Sequence, residues 1–248
     1  MIELKSKQDL EKLRVANRIV AKILNELKNH IKPGATTLEL EALVERLLPA
    51  NGAIGAFKGL YGFPCNLCAS VNSEVVHGIP SERPLNEGDI ISLDFGVLYD
   101  GYYGDAALTV PVGDISEETR NLLTVAEKAL YLGIAQAVEG NRVADISRAI
   151  QEYVERNGYS VVRQFVGHGI GRKLHEPPQI PNFGPPWVEV PLEAGMALAI
   201  EPMINAGGPE VKILEDRWTA VTRDGSLSAH FEHSVAVTKD GPLVLSQL

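Results

Sequence analysis

The sequence predicts an α/β (α+β) domain in which pairs of helices cover one side of an antiparallel sheet and the functional site occupies the other. Three observations predict it. Two amphipathic helix pairs are each followed by strand-like segments, the helix stop signals recur at a fixed spacing, and acidic residues interrupt apolar strands in both parts of the chain. With 248 residues and 45% apolar side chains, the chain can bury a substantial core.

The first helix is predicted over residues 6 to 31, where Leu13, Ala16, Val20, Ile23, Leu24 and Leu27 recur at helical spacing. Ser6 and Asp9 supply its amino-terminal cap, and Lys32-Pro33-Gly34 its stop. A second helix runs from Thr37 to Leu48, ended by Pro49 and the Asn51-Gly52 pair. The stretch "ASVNSEVV" reads as extended, and a hairpin follows over residues 90 to 110. Two more helices are predicted over residues 116 to 138 and 144 to 156.

The second and fourth helices overlay without a gap at an offset of 106 residues, the separation of Gly34 from Gly140. Leu40 falls on Ile146, Val44 on Ile150, and Asn51-Gly52 on Asn157-Gly158. Matched stop signals point to duplication. The expected organisation is one domain spanning residues 1 to 248, built from halves of about 6–110 and 116–240 around a pseudo-twofold axis.

The hairpin carries the chemistry of the first half. Asp100-Gly101 is a type I′ turn signal, which sets Tyr99 opposite Tyr102, Gly96 opposite Asp105 and Asp94 opposite Ala107. By strand alternation Asp94, Gly96, Asp105 and Ala107 then share one face. The two carboxylates become diagonal neighbours with Cβ atoms roughly 7 Å apart. In the second half, "GMALAIEPMI" carries Glu201 and "HFEHSVAVT" carries Glu232. Facing halves would gather four carboxylates, and bound cations neutralise such a cluster more simply than protonation of every member.

Six histidines complete the inventory. His77 ends an extended segment beside Gly and Pro, while His168 and His175 lie among glycines and prolines that favour a looping path. His230 and His233 flank Glu232, and only His230 shares its face if the segment is a strand. His30 closes the first helix and is expected to face solvent. Cys65 and Cys68 lack the second pair that a structural zinc site needs, so they read as packing or pocket-lining residues.

A net charge of -9 excludes a phosphate-tracking surface, so no nucleic-acid partner is expected. The opening "MIELKSKQDL" has no signal-peptide core and no apolar run is long enough to span a bilayer. The expectation is a cytoplasmic protein without a membrane partner.

Taken together, "VNSEVVHGIP", "DFGVLYDGYYGDAA", "VGHGIGRKLHEPPQIPNFG", "GMALAIEPMI" and "DRWTAVTRDGSLSAHFEH", in this order, resemble the type I methionine aminopeptidases over nearly the whole chain. The resemblance implies the pita-bread fold, a curved antiparallel sheet under paired helices. It also implies a site for two divalent ions, Co, Mn, Fe or Zn. By likeness the ligands are Asp94, Asp105, His168, Glu201 and Glu232, with Asp105 and Glu232 bridging.

The same resemblance makes Glu201 the proton shuttle, His175 a donor to the scissile carbonyl or oxyanion, and His77 a contact to the substrate peptide. Phe57, Leu60, Phe63, Cys68, Leu174 and Trp218 take the positions of the methionine pocket. Leu60 and Leu174 stand where the family often has an aromatic residue, and Ala106-Ala107 where some members have hydroxyls. The implied substrates are nascent polypeptides with a small second residue, met at the ribosome by a monomeric enzyme. Relatives that cleave beside proline usually carry an added amino-terminal domain, and none is expected before the first helix here.

Overall fold

Residues 2–184 and 190–248 are described by the structure, a computed structural model. Four helices form among them, α1 (Lys7–Lys28), α2 (Thr37–Ala50), α3 (Glu117–Ile134) and α4 (Val143–Arg156). The α1 start is a capping box in which the Ser6 hydroxyl accepts from the Asp9 N–H and the Asp9 carboxylate accepts from the Ser6 N–H.

Helix ends differ from the sequence expectation by a few residues, for a local reason. The amides of Asn29 and His30 bond three residues back, to Glu26 and Leu27, and the amides of Gln136 and Ala137 do the same to Gly133 and Ile134. Such tightened turns close α1 and α3 early. Pro49, expected to end α2, sits inside its last turn. One missing N–H is tolerated there, and Asn51 closes the helix through the Leu47 and Leu48 carbonyls.

The main sheet has nine strands among the described residues: β1 (Ile54–Gly55), β2 (Leu67–Val71), β3 (Ile90–Tyr99), β4 (Tyr102–Pro111), β5 (Gly167–Gly169), β6 (Glu176–Ile180), β7 (Ala197–Ile200), β8 (Glu232–Thr238) and β9 (Gly241–Val244). Their order is β1-β3-β4-β8-β7-β5-β6, with β2 also on β3 and β9 also on β8. All of these pairings are antiparallel. The centre is the β4–β8 seam, where Ala107 pairs with Glu232 and Ala106 with His233.

Alternation divides the strands between two faces. Leu93, Phe95 and Val97 of β3 pack under α1 and α2, in a core with Val20, Leu24 and Val44. Leu198, Ile200, Val235 and Val237 pack under α3 and α4 with Leu130 and Ile150. Both helix pairs thus lie on one face, each over its own core. Truncating a buried leucine such as Leu93 costs about 2–5 kcal/mol in such packing. The opposite face, free of α-helices among the described residues, carries Asp94, Asp105 and Glu232.

Candidate metal centre

The hairpin register positions the first two carboxylates. Asp94 pairs with Ala107 and Gly96 with Asp105 about the Asp100-Gly101 turn, whose residues have φ of 45° and 79° as a type I′ turn requires. The row extends from Cys68 on β2 through Asp94 and Ala107 to Glu232 on β8. Gly96 does not open free space on this face: a Cβ there would lie 2.8 Å from the Phe57 ring and 3.1 Å from the Ala56 Cβ. The Asp105 backbone is held from two sides: its N–H donates to Asn17 Oδ1 of α1 at 3.2 Å, and its carbonyl accepts from Ser234 Oγ at 2.8 Å. Helix α1 comes this close because residue 104 is glycine, where a Cβ would lie 2.7 Å from Ala16 and Asn17 backbone atoms.

The second half supplies its groups at strand ends. His168 lies on β5 beside a register shift, Glu232 opens β8, and Glu201 stands one residue beyond β7 rather than inside a strand as the sequence suggested. The adjacent Pro202 lies between β7 and the short strand Met203–Asn205. His168 Nδ1 lies 2.9 Å from the Gly169 carbonyl. Since a carbonyl only accepts, Nδ1 carries the proton and Nε2 presents a lone pair. That Nε2 is 3.9 Å from Asp105 Oδ2 and 3.5 Å from Glu201 Oε1.

Among the described residues, the ligand atoms of Asp105, His168 and Glu232 fall within 4.8 Å of one another. Asp94 and Glu201 line the same cavity, of about 640 Å³. Buried Asp94 Oδ1, Asp105 Oδ1 and Glu232 Oε1 have no hydrogen-bond partner. Burial raises the Asp94 carboxyl to about 7, with His230 pulling it down and Glu201 pushing it up. Burial likewise raises Glu201 to about 8. Asp105 and Glu232 are driven well above the carboxylate range by burial and by each other's neighbours. A buried, oxygen-rich cluster with orphaned acceptors and one free imidazole nitrogen fits hard or borderline divalent cations, which would neutralise it.

His77 and His175 flank this centre. The His175 ring meets His168 edge-on at 4.5 Å. His77 takes φ of +61°, an uncommon conformation for a residue with a side chain, and its ring meets Phe165 edge-on at 5.4 Å. Burial lowers both imidazoles, His77 to about 4. Each is therefore neutral near pH 7 and offers a single N–H.

Phe57, Leu60, Phe63, Cys68, Leu174 and Trp218 line the same cavity and form one apolar cluster. Trp218 is set by Asp216, whose carboxylate accepts from the Trp218 and Thr219 amides at 2.8 and 2.9 Å; its ring meets Phe63 edge-on at 5.2 Å. Sequence reasoning missed three residues here. Tyr61 stands at the mouth, 80% exposed, Phe165 lines the wall, and His230 lies behind Glu201, its Nε2 3.6 Å from Oε2. Only His230 had a signal, its shared parity with Glu232.

His233 and His30 lie outside this cavity. His233 points to the helix face, between Tyr131 and Ser246. His30 is exposed beside Glu26. Both cysteines are free thiols.

Comparison with known proteins shows the family and the fold. The model of metallopeptidase family M24 matches residues 11–239. A methionine aminopeptidase of Clostridium perfringens is 51% identical over 246 residues, 99% of each chain. Methionine aminopeptidase 1 of Bacillus subtilis is 52% identical over the full length of both chains, 248 residues. The crystal structure of a Thermotoga maritima methionine aminopeptidase superposes with a TM-score of 0.98 at 45% identity, covering 100% of both chains. A prolidase from Pyrococcus furiosus, 24% identical with a TM-score of 0.81, shares the fold; the match covers 99% of this chain and 65% of that one.

Proposed function

The chain belongs to metallopeptidase family M24, and from that premise we propose that its acidic cavity removes methionine from the amino termini of polypeptides. The activity is that of a metal-dependent methionyl aminopeptidase, as in its full-length relatives. One observation within this chain carries the reading furthest: three orphaned carboxylate oxygens and a free imidazole nitrogen meet at the floor of an apolar cavity.

In the proposed assignment Asp94, Asp105, His168, Glu201 and Glu232 would hold two divalent ions, Asp105 and Glu232 contributing to both. Ligand atoms of Asp105 and Glu232 within 4.8 Å of each other support this common role. Oxygen ligands with one imidazole suit Mn, Fe, Co or Zn. When bound, such ions supply Lewis acidity and a water acidic enough to ionise near neutral pH.

The chain's own groups complete the reaction. Glu201 takes the proton as water adds to the scissile carbonyl carbon and passes it to the leaving amine as the C–N bond breaks. His175 donates its N–H to the carbonyl oxygen as charge develops there, where a fixed donor is worth about 10²–10³ in rate. His77 contacts the peptide next to the scissile bond. Phe57, Leu60, Phe63, Cys68, Leu174 and Trp218 receive the methionine side chain, unbranched and polarizable, against aromatic edges and aliphatic carbon.

The reading extends to new polypeptides with a small second residue as substrates, met at the ribosome in the cytoplasm by a monomer. No described helix is long and apolar enough to cross a membrane. The test is hydrolysis of Met-Gly-Met-Met and Gly-Gly-Met-Met by chelated protein, with and without added Mn or Co ions. Metal-restored release from the first peptide alone is expected. A folded sample that releases no methionine with any divalent metal would overturn the assignment.

A further inference from the structure

We infer that His230 is a positioning residue for Glu201, holding one carboxylate oxygen from behind so that the other faces the reaction. The inference rests on the role proposed above for Glu201.

His230 ends the strand Ser228–His230, paired with Met203–Asn205 in a register that sets His230 opposite Met203. Its backbone is pinned to β4 by one hydroxyl: Thr109 Oγ1 donates to the His230 carbonyl at 2.8 Å and accepts from the His230 N–H at 2.9 Å. The side chain is 1% exposed, yet neither ring nitrogen has a hydrogen-bond partner. Leaving a buried polar group unpaired costs about 1–3 kcal/mol. A purely structural residue at this place would be better served by an apolar side chain.

The one carboxylate within 4.0 Å of the ring among the described residues shows what it is placed against. His230 Nε2 lies 3.6 Å from Glu201 Oε2, and His168 Nε2 lies 3.5 Å from Oε1 of the same carboxylate. Glu201 is thus bracketed by two imidazoles, one on each oxygen. His168 faces the ligand cluster with Asp105 and Glu232; His230 is not part of that cluster. The Glu201 backbone is fixed separately, its carbonyl accepting from Asn182 Nδ2 at 3.2 Å. What the backbone leaves undetermined is the carboxylate plane, and the His230 ring determines it. Closing 3.6 Å to a normal hydrogen bond takes roughly 0.7 Å, within reach of a small carboxylate rotation. With Nε2–H donating to Oε2, Oε1 is the oxygen left to serve cations and water.

The test compares His230→Leu, which removes the donor, with His230→Gln, whose amide N–H reaches the position of Nε2. Partners that orient metal ligands typically contribute 10–100-fold in affinity or activity. His230→Leu is therefore expected to lower kcat on Met-Gly-Met-Met by about 10–100-fold with little change in KM, and to weaken Mn binding to the metal-free protein, read by calorimetry, by a similar factor. His230→Gln should restore both to within several-fold of the parent. Unchanged kcat and Mn affinity in His230→Leu overturn the inference, as does a His230→Gln variant as impaired as His230→Leu. If His230→Leu does not fold, His230→Gln against His230→Asn decides: only Gln reaches Oε2, so equal activity of the two overturns the role. A parent protein with no Mn-dependent release overturns the assignment beneath it, which an active parent with an indifferent His230→Leu does not.

Discussion

The two helix pairs are nearly the same object, whereas the strands that follow them are not. Helices α2 and α4 each have 14 residues, and each ends in an asparagine with almost the same conformation, φ −102° and ψ 6° at Asn51 against φ −90° and ψ 7° at Asn157. The first pair leads to β3 and β4, two 10-residue strands zipped from Ile90–Pro111 to Tyr99–Tyr102 without a register shift. The second leads to strands of 3, 5 and 4 residues, β5, β6 and β7, with a shift beside His168. The difference concerns how side chains are held. Asp94 and Asp105 ride a continuous ladder flanked by β2 and β8, but His168 and Glu201 stand at breaks where local packing decides their aim. An uninterrupted ladder should make the first half the more rigid platform, and the breaks should leave the second more adjustable.

The largest test of this contrast is Asp105. Asp105→Asn should leave a folded protein whose metal-dependent activity falls by more than about 100-fold, since even residues that only orient ligands reach that level. Metal-free stability should hardly move, because burial already keeps this carboxyl protonated and Asn copies its neutral shape. Asp105→Glu should be almost as inactive: Asn17 and Ser234 pin the backbone and leave no slack for an extra methylene. A glutamate variant with near-normal turnover, or an asparagine variant with normal activity, would break the picture of a rigid platform. Calorimetric Mn binding and peptide release read both.

A smaller effect joins the halves through protons. Asp94 in one half and Glu201 in the other are raised to about 7 and about 8, chiefly by burial. Below about pH 7 the protons these carboxyls hold are offset by buried His77 and His168, lowered to about 4, which stay neutral while the unfolded chain protonates its histidines; above about pH 7 the carboxyls alone leave the folded metal-free protein with the excess. Stability of the chelated protein should therefore fall as pH rises from about 7 to 8, by several degrees in Tm. Added Mn should remove that slope, because a cation takes the place of the protons. A chelated protein that gains stability over this range would show that these carboxylates are not held in their protonated form.

The same contrast governs what the sequence made legible. The Asp100-Gly101 turn determines the whole hairpin, because once a two-residue turn is placed, pairing and facing follow by alternation; Asp94 opposite Ala107 and Gly96 opposite Asp105 were readable before any coordinates. The second half has no such anchor. Its Pro177-Pro178 bond is cis, Glu201 falls outside the strand predicted to carry it, and Phe231 interrupts what read as one strand from His230 to Thr238. The parity argument still put His230 on the face of Glu232, yet proximity to Glu201 depends on two short strands, Met203–Asn205 and Ser228–His230, meeting in a separate sheet. Pairing between segments that far apart in the chain leaves no local trace. The ligand set came from resemblance to a family, and chain composition alone would have stopped at a cluster of acids.

The smallest effect tests whether the shared part is shared in energy as well as form. Gly52 and Gly158 follow the matched asparagines with φ of 65° and 82°, a region where a side chain meets the adjacent carbonyl. A Cβ would touch nothing within 4 Å at Gly158, and only the Tyr99 ring at 3.8 Å at Gly52. Packing therefore adds nothing at either position, and backbone strain is the whole cost. Gly52→Ala and Gly158→Ala should each destabilise by about 1–2 kcal/mol in urea unfolding, the two values agreeing within error, with peptide release unchanged. Unequal costs would mean that one stop is coupled to the strands after it, and since β3 and β4 form the rigid half, a larger loss at Gly52 would place that coupling there. Equal costs would confine the asymmetry of the molecule to its strands, where the reactive groups are.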